Sequence, residues 1–143
     1  MTRPFRLTAP VTPEDDLHTA VAHALDRLIL PPAAWTTFPA GQVELTAQAA
    51  AKLARLGLKA GWPDLLVLHG VLHGIELKTL DGRLSRTRAV RTRRGTLRLV
   101  EGQRDTFPRL EAAGMRIAIC RTVGEVLTAL AAWNIPVRRT ASC

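Results

Sequence analysis

The sequence contains few cysteines and few aromatic residues. Among its 143 residues there are two cysteines, Cys120 and Cys143, with three tryptophans, three phenylalanines and no tyrosine. One cysteine lies in a predicted strand and the other is the last residue, so we expect no disulfide framework and a reducing, cytoplasmic setting. So few aromatic rings also argue against the stacking platforms that hold a single nucleic-acid strand.

Long hydrophobic runs are missing as well. None approaches the roughly 20 residues that cross a bilayer, and the basic N-terminus lacks the hydrophobic stretch of a signal peptide, so we expect no membrane association. His69 and His73 lie four residues apart on a predicted hairpin with no second ligand pair, which argues against zinc. The glycines at 70, 74 and 82 fit turns or bulges rather than a phosphate loop. We expect no small-molecule organic cofactor.

Acidic residues are absent from one region. Twenty Lys and Arg against twelve Asp and Glu give a net charge of +8, and no acid occurs from Arg83 to Val100. Genome composition could supply arginine, but it would spread arginine evenly, whereas a polyanionic partner favours a cluster. The cluster therefore favours nucleic acid, with 83–100 as a DNA-contacting insertion. The clustered arginines are Arg83, Arg86, Arg88, Arg91, Arg93, Arg94 and Arg98.

The pattern of caps and breakers predicts four helices. Thr12 and Pro13 begin the first, which should run to about Leu30, and Thr46 caps the second, which should end near Leu56. A third is expected at 103–113, with Pro108 kinking it or moving its start later, and a capping box at Thr122–Glu125 begins the last.

Strands are predicted between these helices. They are a short strand at 35–38 before a turn at 39–41, a strand–turn–strand unit at 61–79, an exposed hairpin over 87–100, a buried strand at 116–121 and a short edge strand at 135–137. This order predicts an α/β fold with a mixed central sheet flanked by helices. We expect one domain at 12–137, a flexible basic tail at 1–11 and a loose tail at 138–143.

The predicted unit at 61–79 carries three charges, Asp64, Glu76 and Lys78. Alternation along a strand puts Glu76 and Lys78 on one face, and a turn at 69–71 puts Asp64 opposite Glu76 with Cβ atoms about 5 Å apart. Two carboxylates that close repel each other unless a cation lies between them. The pair therefore predicts a site for a hard divalent ion, Mg²⁺ or Mn²⁺.

A purely structural interpretation is also open. Asp64 follows Pro63 and could cap a turn, while Glu76 and Lys78 could form a surface ion pair. The hydrophobic neighbours argue against it, because an unpaired charge on a buried strand costs several kcal/mol.

Several segments carry a family resemblance. They are Glu14–His18, Leu56–Asp64 with Pro63-Asp64 at its end, Gly74–Thr79 with Glu76-Leu77-Lys78, Gly82–Ser85, and Gln103. With eleven residues between the Pro-Asp and Glu-x-Lys elements, the chain resembles the PD-(D/E)XK nuclease superfamily, and within it the VRR-NUC branch of small phage and bacterial proteins. The resemblance implies a restriction-endonuclease-like core and covers roughly 14–137.

The resemblance also implies roles. Asp64, Glu76 and the backbone carbonyl of Leu77 would bind the metal, and Lys78 would orient or deprotonate the attacking water. Glu14 would hold a second metal or a metal-bound water, and Gln103 would match the family's glutamine. That glutamine usually follows Gly-Arg-Leu-Ser closely, whereas here the arginine-rich stretch separates Ser85 from Gln103.

We therefore predict a Mg²⁺- or Mn²⁺-dependent DNA endonuclease. By resemblance it would leave 5′-phosphates and act as a homodimer on branched DNA such as four-way (Holliday) junctions, although plain duplex stays open as a substrate. His18, one turn after Glu14, is a candidate DNA contact. The alternatives are a catalytically silent DNA-binding module and, with less support, an RNA-binding protein.

Overall fold

A computed structural model describes residues 13–38 and 45–139. The predicted tail at 1–11, Thr12, the turn at 39–41 and the last residues from 140 lie outside the described part. The described elements are, in chain order, α1 (Pro13–Leu28), β1 (Ala34–Thr37), α2 (Ala47–Arg55), β2 (Leu65–His69), β3 (Val71–Leu77), β4 (Arg88–Arg91), β5 (Leu97–Val100), α3 (Gln103–Ala112), β6 (Arg116–Cys120) and α4 (Val123–Ala132). No described helix has the length and apolar character needed to cross a bilayer.

The fold is α/β, built on a mixed sheet. Its order is β1-β2-β3-β6, in which β1, β2 and β3 are antiparallel neighbours and β6 runs parallel to β3. The connection from β3 to β6 contains α3, as a parallel pair requires, and the β4–β5 hairpin is inserted before α3 as a separate two-stranded sheet. The predicted mixed sheet and the predicted second hairpin are both confirmed.

The core lies on one face of this sheet. Side chains from β2 and β3 that share a face pack with α1 and α4, and the largest of them are fully buried, contributing roughly 1.5–3 kcal/mol each. These residues are Val21, Leu25, Leu65, Val67, Ile75, Leu77, Val126 and Leu130. The opposite face carries Gly74 and Glu76, so the two faces of β3 have different roles.

Three predicted elements need correction. The strand at 116–121 was expected to be buried, but β6 is the sheet's edge, with Arg116 exposed and Ile119 45% exposed. The segment 135–137 adds no strand to the sheet and makes only an isolated bridge between Val137 and Ile29. That bridge, with Leu30 N donating to Pro136 O at 2.9 Å, also explains why α1 ends at Leu28 instead of Leu30.

Helix α3 begins at Gln103 as predicted, but Pro108 does not move its start later. Its N-cap is Gly102, which has no side chain to offer, so the segment 85–87 supplies the partners. Ser85 Oγ accepts from Gln103 N at 3.0 Å and Thr87 Oγ1 accepts from Gly102 N at 3.1 Å. These bonds satisfy amides that a helix start leaves unpaired, and they hold the start of α3 against the chain that leaves β3.

The segment 85–87 approaches the start of α3 so closely that position 102 requires glycine. A Cβ there would lie 2.2 Å from Arg86 C and 2.5 Å from Ser85 O, which are backbone atoms that cannot rotate away. We expect Gly102→Ala to lower the free energy of unfolding by about 2 kcal/mol in urea titrations. Gly124→Ala is the control, since its Cβ would meet only Thr122 Oγ1 at 3.7 Å and alanine favours a helix. Equal stability of Gly102→Ala and the unaltered protein would contradict this packing.

Candidate metal and phosphodiester site

The β2–β3 register brings the two predicted carboxylates together. Leu65 pairs with Ile75 and Leu68 with Leu72, as predicted, so the next step along the ladder places Asp64 opposite Glu76. Asp64 Oδ2 accepts a hydrogen bond from Leu77 N at 2.8 Å, which holds its carboxylate across the strand end. The predicted register is confirmed, and its continuation places the two carboxylates on one face of the sheet.

Two close contacts hold Asp64 in place. A Cβ at Gly74 would lie 2.5 Å from Pro63 Cγ, so only glycine lets the residue before Asp64 pack onto β3. On the other side, Phe38 N donates to Asp64 O at 2.7 Å. The position of the carboxylate is therefore set by packing on one side and by the backbone of the chain leaving β1 on the other.

Glu76 is the unusual member of the pair, because its side chain is only 1% exposed. Its Oε1 lies 2.9 Å from Lys78 Nζ and also accepts from Gln103 Nε2. Its Oε2 is buried and has no hydrogen-bond partner among the described residues. An unpartnered carboxylate oxygen in the interior is costly, and a cation between Asp64 and Glu76 would supply what it lacks.

Burial and charge shift the titration of Glu76. Burial, and after it the neighbouring charge of Asp64, raise the pKa of this carboxyl to about 7, although Lys78 and Gln103 act in the opposite direction. One lysine therefore does not compensate for the burial of Glu76 beside a second carboxylate. A second positive charge would.

Leu77 fits the role that the resemblance implies for its carbonyl. In a strand the N–H and C=O of one residue point to the same side, and Leu77 N–H points toward Asp64. Continuing the register places Pro63 opposite Leu77, and proline has no N–H to donate to that carbonyl. Asp64, Glu76 and this carbonyl are an all-oxygen donor set of the kind that Mg²⁺ and Mn²⁺ prefer.

Gln103 reaches the site despite the long stretch before it. Its Nε2 donates to Glu76, while its Oε1 accepts from Ser85 N at 3.1 Å. The arginine-rich hairpin is inserted between Ser85 and Gln103. These two residues therefore lie close together in space although they are far apart in sequence. The predicted glutamine therefore contacts the predicted carboxylate.

Glu14 and His18 lie at the periphery. Glu14 is exposed in the first turn of α1, and no group of three His, Cys, Asp or Glu side chains in the described part is arranged to hold a metal. The structure thus does not join Glu14 to Asp64 and Glu76. His18 Nε2 lies 2.9 Å from Thr37 Oγ1, which donates to Asp64 O. His18 therefore supports the chain beside Asp64 through Thr37.

The arginine cluster lies on and around the β4–β5 hairpin, and all seven side chains are exposed. The register Val90 to Arg98 places Arg88 and Arg98 on one face and Arg91 on the other, while Arg93 and Arg94 lie in the turn. Arg91 contacts Gly95 O at 3.2 Å, within the hairpin. The positive charge therefore faces solvent on both sides of the inserted hairpin.

Arg121 is a residue that the sequence analysis missed. Its guanidinium donates to the carbonyls of Thr79, Leu80 and Gly82, which form the turn directly after Lys78. It follows β6, whose end lies beside the end of β3 because the two strands are parallel. Recognising that pairing in the sequence would have placed Arg121 beside this turn.

Comparisons with known proteins identify no relative: no protein-family model matches the chain, and neither do the curated proteins or the solved structures. What the site does is therefore inferred from its own residues.

The buried carboxyl of Glu76 makes the stability of the fold depend on pH. Because its pKa is raised from 4.5 to about 7, its contribution to stability is fully present below pH 4.5 and is lost as the pH rises through 7. The loss is on the order of 3 kcal/mol. Without metal, the stability of Glu76→Gln relative to the unaltered protein should therefore increase from pH 5 to pH 8. Urea unfolding in EDTA at the two pH values measures this. Glu111→Gln, an exposed control, should show no such gain, and an equal effect of Glu76→Gln at both pH values would refute the assignment.

Proposed function

We propose that this protein is a metal-dependent DNA endonuclease that hydrolyses phosphodiester bonds. The observation that carries the proposal is the pairing of Asp64 with a buried Glu76 whose Oε2 has no partner in the described part of the chain. A site that keeps two carboxylates side by side at this cost is suited to a divalent cation. The restriction-endonuclease-like core is part of the same proposal.

Asp64, Glu76 and the carbonyl of Leu77 would hold Mg²⁺ or Mn²⁺. When bound, such an ion lowers the pKa of a coordinated water and offsets the charge of the phosphate. The residues themselves orient the site: Leu77 N fixes Asp64, and Gln103 fixes one oxygen of Glu76, which leaves the other oxygen for the ion.

Lys78 supplies the positive charge of the protein itself. Its side chain is 15% exposed and lies 2.9 Å from Glu76 Oε1, so it reaches the site from the solvent side. In that position the ammonium can donate to the attacking water or to a phosphate oxygen as charge develops there. Arg121 keeps the turn after Lys78 in place.

The exposed arginine hairpin fits the phosphate backbone of DNA. Arginine binds phosphate with two parallel hydrogen bonds, and such contacts position DNA without selecting a sequence. Both ends of the hairpin segment meet at the site, since Ser85 and Gln103 are hydrogen-bonded to each other. Backbone-directed binding of this kind admits branched DNA as well as duplex, and by the resemblance of its motifs the enzyme would leave 5′-phosphates.

Each chain would carry one site and cut one strand, so cutting both strands of a junction would need a homodimer. A reducing, cytoplasmic setting agrees with Cys120, the free and buried cysteine of the described part.

Cleavage assays test the proposal. Labelled duplex, flap and four-way-junction DNA are incubated with Mg²⁺, Mn²⁺ or EDTA. We expect metal-dependent cutting, strongest on branched DNA, that falls to background in Asp64→Asn and by at least about 100-fold in Lys78→Ala. Asp26→Asn, an exposed acid on α1, is the matched control and should cut normally.

Binding measurements separate this enzyme from a silent module. Tight binding of DNA without cutting in any metal would leave only the DNA-binding alternative. Cutting that persists in Asp64→Asn would place the chemistry elsewhere in the chain.

A further inference from the structure

A hydrophobic pocket lies next to the candidate site and is not used by it. Its volume is about 400 Å³, and its lining includes Phe38, Leu53, Leu56, Lys59 and Trp62. This volume is in the range of pockets that hold small organic groups.

The pocket has an aromatic wall. The rings of Phe38 and Trp62 lie 5.7 Å apart between centroids and are tilted by 32°. Flat aromatic faces stack with nucleobases of any identity. Two rings do not make the extended platform that the composition excludes, but they suffice for one base.

The pocket is tied to the candidate site through the backbone. Trp62 precedes Asp64 by two residues, a span of at most about 7 Å. Phe38 N donates directly to Asp64 O at 2.7 Å. A nucleotide whose phosphate lies at Asp64 and Glu76 therefore has this pocket within reach of its own base or of a neighbouring one.

The segment that lines most of the pocket carries positive charge only. The described segment 45–63 contains no acidic residue, and its charges are those of Lys52, Arg55 and Lys59, all exposed. Helix α2 buries none of its residues, and Leu56 beyond its end is 72% exposed. An apolar, aromatic cleft with a cationic rim is complementary to a nucleotide, which joins a flat base to an anionic phosphate.

We propose that this pocket holds one unstacked nucleobase next to the scissile phosphate. The inference rests on the proposed nuclease function and specifies its substrate: DNA with an unpaired nucleotide beside the cut, such as a flap or a branch point. A fully paired duplex has to unstack a base to fill the pocket, which costs a few kcal/mol. The pocket thus selects DNA that has an unpaired nucleotide, whereas the arginine hairpin contacts the phosphate backbone and makes no such selection.

The test is a thermodynamic cycle measured without metal. Affinities for fluorescein-labelled flap DNA are determined by anisotropy in EDTA, with a single abasic residue placed in turn at each flap nucleotide near the junction. Stacking of one base changes affinity by roughly 5- to 150-fold. We expect the abasic residue to weaken binding to this extent at one position, and Trp62→Leu to weaken binding of intact flap DNA by a similar factor.

The two changes together should weaken binding no more than either alone, because both remove the same contact. Lys59→Ala, a surface change that leaves the fold intact, should weaken binding and keep the preference for an intact base. Leu127→Ala, which truncates an exposed leucine on α4 (39% exposed), is the control and should bind normally.

Independent effects of Trp62→Leu and the abasic residue at every position would overturn the base pocket. The pocket would then be left to another occupant, such as a second copy of the chain. Normal metal-dependent cleavage by the same protein preparation would in that case leave the nuclease proposal standing. No binding of flap DNA under any condition would overturn both.

Discussion

The buried carboxylate of Glu76 beside Asp64 is the constraint on which the rest of the site depends. The β2–β3 ladder places the two acids on one face at the strand end, where Glu76 is almost fully withdrawn from water. Burial alone would favour an apolar residue there, and burial together with the charge of Asp64 raises the pKa of Glu76, which disfavours its ionised form. In a fold that binds no ligand, apolar residues at these positions would be more stabilising than this pair of carboxylates.

Much of the surrounding structure orients this pair. Gly102 lets the segment 85–87 cap α3, which in turn presents Gln103 to Glu76. Arg121 holds the turn behind Lys78, and His18 supports the chain beside Asp64. Each contact comes from a different element, so the site is assembled by the whole α/β fold. Such fixed surroundings are what a preorganised catalytic site requires.

The sequence predicted local features well and distant ones poorly. The register at Asp64 and Glu76 follows from one short turn, and the cap at Thr46 is likewise confirmed. The exposure of β6 was missed because an Ile-Ala-Ile run has the same composition in a central strand as in an edge strand. Arg121 and the pocket at Trp62 were missed because they depend on contacts between segments far apart in sequence, which no periodicity reveals.

The account depends most directly on whether Asp64 and Glu76 bind a divalent cation. Titration of Mn²⁺ followed by the electron paramagnetic resonance of the free ion measures this without any substrate. We predict saturable binding of Mn²⁺ by the full chain, displacement of Mn²⁺ by Mg²⁺, and loss of binding in Glu76→Gln. No binding at millimolar Mn²⁺, or equal binding by Glu76→Gln, would contradict the account and return the pair to a structural role.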